Sequence, residues 1–167
     1  DRVTQLARDA GRRMTVRLAK GAYWDTEIKR AQERGLAGFP VFTLKAATDV
    51  SYLACALRLF AARDVIHPQF ATHNAFTVAA VLELAPAGVA FEFQRLHGMG
   101  ESLYAAARAD LTARAPVRVY APVGTHTDLL PYLVRRLLEN GANGSFVHQF
   151  NDRRIAAEQL VRNPLLD

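Results

Sequence analysis

Four short apolar segments recur along the chain, and each is followed by a segment with helical periodicity. The apolar segments have the length of strands, and they span residues 14–18, 65–72, 89–94 and 117–121. Strands that alternate with helices pair in parallel, and their crossovers are right-handed. The repeat therefore predicts an α/β fold with a parallel sheet, either a doubly wound open sheet or part of a (β/α)8 barrel.

Capping residues mark several ends of the predicted helices. Residues 2–11 are predicted to form a helix that ends at Gly11, and Asp25 to cap a helix over 26–35 that ends at Gly35. Residues 39–43 are predicted to be extended. The remaining helix predictions are 49–62 with Leu53, Ala56, Leu57 and Phe60 on one face, then 75–84, 101–111, and a last helix capped by Thr125 that runs to Asn140, with Gly141 beyond its end.

The length of the chain decides between the two architectures. A complete barrel needs about 250 residues, and this chain has 167. The lack of an initiator Met and the opening helix without a preceding strand also favour half a barrel taken from a longer chain. We expect residues 1–150 to form the partial barrel and residues 151–167 to form a tail that leads out of it.

The formal net charge is +5, which raises the question of a nucleic-acid partner. The basic residues are scattered, with short pairs such as Arg12 and Arg13, so a solvated surface is the better interpretation. The single cysteine, Cys55, cannot form an internal disulfide, which favours a reducing cytoplasm. No apolar run approaches the roughly 18–20 residues of a membrane span. The histidines lack the spacing of zinc ligands, so no metal site is predicted.

Polar side chains beside Gly or Ala follow the end of every predicted strand. In barrels the functional residues gather at the C-terminal ends of the strands. These strand ends are therefore candidates for a site that binds a large polar ligand against the backbone. The alternative is that they are ordinary caps and turns. The segments are 17–24, 72–74, 94–100 and 120–124.

The last predicted helix carries two distinct faces. Tyr132, Arg135, Arg136 and Glu139 lie at helical spacing and share one face. Two adjacent guanidinium groups suit a carboxylate or a phosphate, and Glu139 can orient either of them. The alternative is a solvated face of surface ion pairs. The other face is an apolar stripe made of Leu130, Leu133, Val134, Leu137 and Leu138.

Five segments, in order and with natural spacing, resemble the motifs of proline dehydrogenases. They are RLAKGAYWD at 17–25, FATHN at 70–74, FEFQRLHGMG at 91–100, VYAPVG at 119–124 and YLVRRLLENGAN at 132–143. The run WDTEIKRAQ at 24–32 is similar to the bifunctional branch of this family, proline utilisation A. The resemblance extends from about residue 15 to residue 146.

The resemblance implies a fold and a reaction. The chain would be the C-terminal half, about strands 5–8, of a (β/α)8 barrel with FAD across the C-terminal ends of its strands. L-proline would be oxidised to Δ1-pyrroline-5-carboxylate by hydride transfer from proline C5 to flavin N5, with electrons passed to a membrane quinone. The protein would be cytoplasmic and peripherally attached to the inner face of the membrane.

The resemblance also bears on partners. NAD would enter only through a downstream aldehyde dehydrogenase domain that is not in this chain. The full protein is a possible homo-oligomer. No nucleic acid is expected to bind through this segment, because the DNA-binding domain of some relatives is a separate N-terminal domain.

Each of the matching motifs implies particular site residues. The implied cofactor contacts are Arg17, Lys20, Gly21, Ala22, Trp24, Thr43, Thr72, His73, Asn74, Gln94, Glu139, Ser145 and Phe146. The implied substrate contacts are Leu96, Tyr120, Tyr132, Arg135 and Arg136. Arg17, Tyr120, Arg135 and Arg136 are the implied catalytic residues, and the arginine pair would clamp the proline carboxylate.

Four positions depart from the pattern of the family. Leu44 replaces the usual Arg, Ala47 and Phe76 replace His, and Gly144 replaces Ser or Thr beside an implied FAD contact. The proline-binding Lys, the gating Asp and one flavin-contacting Gln of the family belong to earlier strands. Four strands alone would leave open sheet edges, so we expect the isolated chain to be inactive. The alternative function is a non-catalytic truncated half-barrel that binds anions or a partner chain.

Overall fold

The computed structural model describes residues 2–20, 23–141, 154–156 and 159. Within them, strands alternate with helices, and the four strands form one sheet in the order β1-β2-β3-β4. The strands are β1 (Met14–Ala19), β2 (Ile66–Ala71), β3 (Glu92–Leu96) and β4 (Val117–Tyr120). The helices are α1 (Arg2–Asp9), α2 (Trp24–Glu33), α3 (Lys45–Ala61), α4 (Ala75–Leu84), α5 (Glu101–Ala106), α6 (Arg108–Arg114) and α7 (His126–Gly141).

The chain divides into two compact units. The first contains the described residues of Asp1–Ala71 and Leu84–Ala90, and the second those of Thr72–Glu83 and Phe91–Arg162. In the first unit, β1 and β2 pair in parallel, with Met14 opposite Ile66. Ile66 packs with Ala7 of α1 and with Met14 and Val16 of β1. This apolar cluster fixes β1 and β2 against α1.

Side chains of β1 and β2 alternate between two faces, as the pleat of a strand requires. Phe70 of β2 is fully buried, and its ring centroid lies 5.2 Å from that of Phe60 on α3. Arg17 is exposed and lies opposite Gln69 in the register, so both belong to the other face of the pair. The helix-covered face therefore forms the core, and the opposite face carries polar side chains.

In the second unit, β3 and β4 pair in parallel, with Phe93 opposite Val117 and Leu96 opposite Tyr120. Phe93 is fully buried, and its ring lies 6.2 Å from that of Tyr104 on α5. Because side chains alternate, the opposite face of this pair carries Glu92, Gln94 and Leu96 of β3 with Arg118 and Tyr120 of β4.

The predicted start of α2 is wrong. The helix begins at Trp24, and its N-cap is Tyr23, which has a left-handed φ of 68° and makes no side-chain capping bond. Asp25 lies in the first turn, where a carboxylate still interacts favourably with the helix dipole. The helix ends at Glu33, two residues before the predicted end, and Gly35 forms the turn beyond it, with a φ of +61° and an N–H that donates to Gln32 O. Residues 39–43 form bends and no strand.

The boundaries and the buried face of α3 also differ from the prediction. The helix begins at Lys45 rather than Asp49, since Asp49 is engaged by lysine side chains inside the helix and does not cap it. Leu57, predicted on the buried face, is 50% exposed. The buried residues are Tyr52, Ala56 and Phe60, which follow the i, i+4, i+8 row of the helix.

Turns account for the remaining differences in the second half of the chain. β3 begins at Glu92 rather than 89, because Gly88 with a φ of +72° forms a turn in which Val89 N donates to Pro86 O. The helix predicted over 101–111 is divided at Ala107 into α5 and α6. α7 runs through Gly141, which was predicted to lie beyond its end. The predicted tail lies outside the described residues, apart from 154–156 and 159.

Candidate active site

Lys20, which follows β1, is held by a carboxylate of the protein. Its Nζ donates to Asp49 Oδ1 at 2.7 Å and lies 5.1 Å from the ring centroid of Tyr52. Lys45 Nζ bonds the other oxygen of the same carboxylate at 2.5 Å. Both Lys20 and Asp49 are largely buried, with 21% and 12% of their side chains exposed. The end of β1 is therefore fixed to α3 by a partly buried ion pair.

Burial and charge act in opposite directions on this pair. Burial of the ammonium group lowers the pKa of Lys20 and outweighs the effect of Asp49. Burial alone would raise the pKa of Asp49, but the hydrogen bonds and charges of Lys20 and Lys45 outweigh it, so that pKa is lowered. Asp49 is thus ionised at neutral pH, and it neutralises a lysine that sequence motifs assign to the cofactor.

Replacement of Asp49 by Asn should loosen α3. We expect the opening free energy of α3 amides, measured by hydrogen exchange at pH 7, to fall by about 1–2 kcal/mol, since Lys20 loses its charged partner. Because the pKa of Asp49 is lowered in the folded state, its contribution is present above about pH 4 and is lost as pH falls through the folded pKa. The difference between wild type and variant should therefore disappear at low pH.

Asp64 provides the matched control for this experiment. Its carboxylate pairs with Arg8, but both side chains are about half exposed. Exposed pairs contribute little to stability, so Asp64→Asn should change exchange far less than Asp49→Asn. Equal effects of the two substitutions would contradict the assigned role of Asp49.

Trp24 and Thr43 belong to one local arrangement. Trp24 Nε1 donates to Phe42 O at 2.8 Å, which ties the segment before α3 to the start of α2. Thr43 is the next residue and is exposed. Two residues that the motifs assign to the cofactor are thus brought together in the first unit. Gly21, Ala22, Ser145 and Phe146 lie outside the described residues, as does Gly144.

Asn74 and Thr72 are engaged in the turn that starts α4. Asn74 Oδ1 accepts from Thr77 N at 2.9 Å and from Thr77 Oγ1 at 3.1 Å, so it acts as the N-cap of α4. Thr72 Oγ1 accepts from Asn74 N at 3.1 Å. The oxygen of Asn74 therefore serves the helix, and its Nδ2 is the group that could serve a ligand.

His73 has a defined tautomer. Its Nε2 accepts a hydrogen bond from Leu96 N at 3.1 Å, so the neutral ring carries its proton on Nδ1. Burial lowers the pKa of His73, and the nearby charge of Arg95 lowers it further. The imidazole is consequently neutral at physiological pH and presents an N–H donor at the end of β2.

The glycines after β3 allow the chain to approach His73. Gly98 and Gly100 have φ angles of +79° and +69°, which side chains other than glycine rarely adopt. A Cβ on Gly100 would lie 2.9 Å from His73 Cδ2, whereas a Cβ on Gly98 would meet nothing within 4 Å. Gly100 is thus required both by its backbone conformation and by its contact with His73.

Gln94 belongs to a polar network on β3 and β4, in which Glu92 and Gln94 are buried and the Arg118 side chain is 63% exposed. Its Nε2 donates to Glu92 Oε1 at 2.8 Å, and Arg118 donates from Nε and a terminal nitrogen to the two oxygens of Glu92, each at 2.8 Å. Glu92 and Gln94 are 4% and 6% exposed. Leu96 and Tyr120 lie beside this network as partners in the β3–β4 register.

Several residues that contact the predicted site residues or their neighbours were not predicted from the sequence. Asp49, Glu92 and Arg118 were absent from the predicted site, and so was Tyr104, whose hydroxyl donates to Thr72 O at 2.9 Å. Burial raises the pKa of Tyr104 well above its usual range. An acidic residue within the apolar strand FEFQ is the signal that could have identified Glu92. The other partners depend on contacts between distant segments.

Three polar residues of α7 are less exposed than two of its leucines. Tyr132, Arg135 and Arg136 are partly buried, and the guanidinium carbon of Arg136 lies 5.3 Å from the Tyr132 ring centroid. Leu130 and Leu133 are 51% and 41% exposed, contrary to the usual arrangement of an amphipathic helix. This orientation argues against the solvated ion-pair alternative. Glu139 lies on the same helix.

Among residues 2–20 and 23–141 and the few described after them, no group of His, Cys, Asp and Glu is arranged to hold a metal ion. In the same part of the chain, no helix combines the length and apolarity needed to cross a membrane.

A comparison with known protein families assigns this chain to a class of enzyme. The family model for proline dehydrogenase matches residues 1–149. This chain therefore belongs to the proline dehydrogenase family, which confirms the resemblance found in its sequence motifs.

Individual relatives agree with this assignment. The bifunctional protein PutA of Klebsiella aerogenes is 55% identical over 171 residues, which cover 99% of this chain and 13% of that protein. PutA of Rhizobium meliloti is 54% identical over 168 residues, covering 99% of this chain and 14% of that protein. A crystal structure of a proline utilisation A mutant from Bradyrhizobium japonicum has a TM-score of 0.91 at 62% identity, covering 97% of this chain and 17% of that chain. The α/β fold class of the partial barrel is thereby confirmed, and this chain spans less than a fifth of each of these three relatives.

Proposed function

We propose that this chain is part of a flavin-dependent enzyme that oxidises L-proline to Δ1-pyrroline-5-carboxylate. The exposure pattern of α7 carries the proposal, because Arg135 and Arg136 are partly buried while Leu130 and Leu133 are exposed. We infer that a helix whose guanidinium groups are partly buried while two leucines are exposed holds an anionic ligand on its polar side. Paired guanidinium forks suit a carboxylate, and family membership makes that of proline the candidate.

The donors and acceptors at the strand ends fit FAD. His73 offers an N–H at Nδ1, Gln94 offers an amide oxygen, and Gly100 allows close approach of the backbone. Such a mixture of donors and acceptors suits a planar heterocycle that itself carries both. When bound, the flavin supplies the two-electron acceptor that this oxidation needs. We infer that the cofactor contacts are those of the motifs, namely Arg17, Lys20, Gly21, Ala22, Trp24, Thr43, Thr72, His73, Asn74, Gln94, Glu139, Ser145 and Phe146.

The residues of this chain would hold and orient the substrate. Arg135 and Arg136 would bind the carboxylate and fix the direction of the ring, which is the entropic part of catalysis. Leu96 and Tyr120, neighbours across β3 and β4, would contact the ring methylenes with Tyr132. Arg17, on the polar face of β1, would stand beside the cofactor. No side chain is assigned as a base, since none follows from the residues described.

The electron acceptor and the cellular location belong to the same proposal. We infer that electrons pass to a membrane quinone, so that the enzyme would work in the cytoplasm on the inner face of the membrane. The bifunctional description of the PutA relatives supports a downstream aldehyde dehydrogenase domain that uses NAD. A homo-oligomer of the complete protein is proposed on the same family basis. The dispersed basic residues give no support for a nucleic-acid partner.

Anaerobic reduction of the flavin tests the function directly. The complete protein that contains this chain would be expressed, and its visible absorbance recorded under nitrogen during addition of L-proline. We expect the flavin band to bleach with proline and to remain with D-proline, because the arginine pair fixes one orientation of the carboxylate. A bound flavin that L-proline does not reduce would contradict the substrate. A well-folded complete protein without flavin would favour the non-catalytic half-barrel.

A further inference from the structure

In the network around Gln94, the chemistry of the groups fixes which of them donates and which accepts each hydrogen bond. Glu92 and Gln94 are two positions apart on β3, so their side chains share one face, and Arg118 lies opposite Gln94 on β4. Glu92 receives two hydrogen bonds from Arg118 and one from Gln94, all at 2.8 Å. A carboxylate can only accept hydrogen bonds.

The carboxylate of Glu92 therefore determines which way the amide of Gln94 is turned. The two ends of a glutamine amide have nearly the same shape, and only the hydrogen-bond network distinguishes them. Because the group facing Glu92 must be a donor, Gln94 Nε2 faces Glu92 and Gln94 Oε1 lies on the opposite side of the amide. Within the part of the chain that the structure describes, no residue donates to this oxygen.

Arg118, whose side chain is 63% exposed, neutralises the buried carboxylate of Glu92. An isolated buried carboxylate is costly, whereas a bidentate guanidinium both neutralises it and fixes its two oxygens. Glu92 is 4% exposed, so its orientation is set by these contacts rather than by water. Arg118 thus orients Glu92, and Glu92 orients Gln94.

We propose that Glu92 and Arg118 are positioning residues that hold Gln94 as a hydrogen-bond acceptor toward the bound cofactor. The complementary group on the ligand is then an N–H or O–H donor. FAD carries both kinds, at the imide nitrogen of its ring and at its ribityl hydroxyls. This inference rests on the proposed function, in which Gln94 contacts FAD.

The test uses Glu92→Gln in the complete protein, with the affinity for FAD measured by quenching of FAD fluorescence on binding to the apoprotein. The new amide can rotate and accept or donate, so Gln94 is no longer held as an acceptor. We expect the dissociation constant for FAD to rise about tenfold, the size of one hydrogen bond. In the background of Gln94→Leu, the same change at Glu92 should alter the constant by less than about twofold.

This comparison separates positioning from a general effect on folding. Equal losses in both backgrounds would overturn the inference, since Glu92 would then act independently of Gln94. Unchanged affinity in the first background would overturn it as well. Arg8→Gln, in an exposed pair with Asp64, should leave FAD binding unchanged. If Glu92→Gln does not fold, Arg118→Lys keeps the charge but removes the bidentate contact, and its effect should likewise vanish with Gln94→Leu.

Two further measurements identify the group of FAD that donates to Gln94 and distinguish this inference from the proposed function. If the imide N–H is the donor, FAD methylated at that nitrogen should bind wild type and Gln94→Leu with equal affinity. If a ribityl hydroxyl is the donor, Gln94→Leu should lose the same affinity for methylated FAD as for natural FAD. Wild-type protein that binds no FAD would overturn the proposed function and this inference together. Wild-type protein that binds FAD without coupling between Glu92 and Gln94 would overturn this inference alone.

Discussion

Replacing Arg135 with methionine in the complete protein should raise the KM for L-proline about 10- to 100-fold, because a charge-assisted contact to a carboxylate contributes about 1.5–3 kcal/mol. Methionine keeps the length and the apolar stem of the side chain but removes the guanidinium. Arg135 is partly buried on the polar side of α7. The flavin should remain bound, since the substitution removes a substrate contact. Steady-state kinetics with a dye as electron acceptor, together with the flavin absorbance, measures both quantities.

Arg12→Met is the matched control for this experiment. Arg12 is exposed and precedes the N-terminal end of β1, whereas the predicted site lies at the C-terminal ends of the strands. The substitution therefore makes the same change in charge outside the predicted site. It should leave the KM unchanged. Loss of flavin with Arg135→Met, or an unchanged KM, would contradict a role for this arginine in binding the carboxylate. Tetrahydrofuran-2-carboxylate, which keeps the carboxylate and lacks the amine, should lose affinity to the same degree as proline.

The alternation of strands and helices was predictable because it depends on local pattern. Apolar runs of strand length and helical periodicity are read within a window of a few residues, and the parallel sheet follows from their order. Errors arose where a local signal competed with a tertiary contact. Asp49 resembles a helix start in the sequence, but its carboxylate is used by Lys20 and Lys45, so α3 begins one turn earlier.

The polar residues at the strand ends were also predictable from local pattern, whereas the residues that hydrogen-bond to them were not. The motifs identified Gln94 and His73, and the structure gives each a fixed orientation through Glu92 and Leu96. The contact between Glu92 and Arg118 joins residues 26 positions apart. No local pattern indicates such a pair, because it depends on the register of β3 against β4.

The exposure of α7 shows that hydrophobic periodicity does not always predict which face of a helix is buried. Its apolar stripe would normally be assigned to the core on periodicity alone, yet Leu130 and Leu133 are exposed and the arginines are partly buried. Periodicity shows that a helix has an apolar face and a polar face. It does not determine which face is buried when the polar face could bind a ligand. On α7 the arginine pair is the less exposed set and these two leucines are the more exposed set.

Two glycines in the turn after β3 should respond differently to substitution by alanine. Gly100→Ala should weaken FAD binding about 10- to 100-fold, because the new Cβ would lie 2.9 Å from His73 Cδ2 and displace the imidazole from its bond with Leu96 N. Gly98→Ala has the same backbone strain, with a φ of +79°, but meets nothing within 4 Å. It should therefore lower stability by about 1 kcal/mol and leave FAD affinity nearly unchanged. Titration of both apoproteins with FAD separates the two effects, and equal losses of affinity would show that strain in the turn, rather than the position of His73, controls the cofactor.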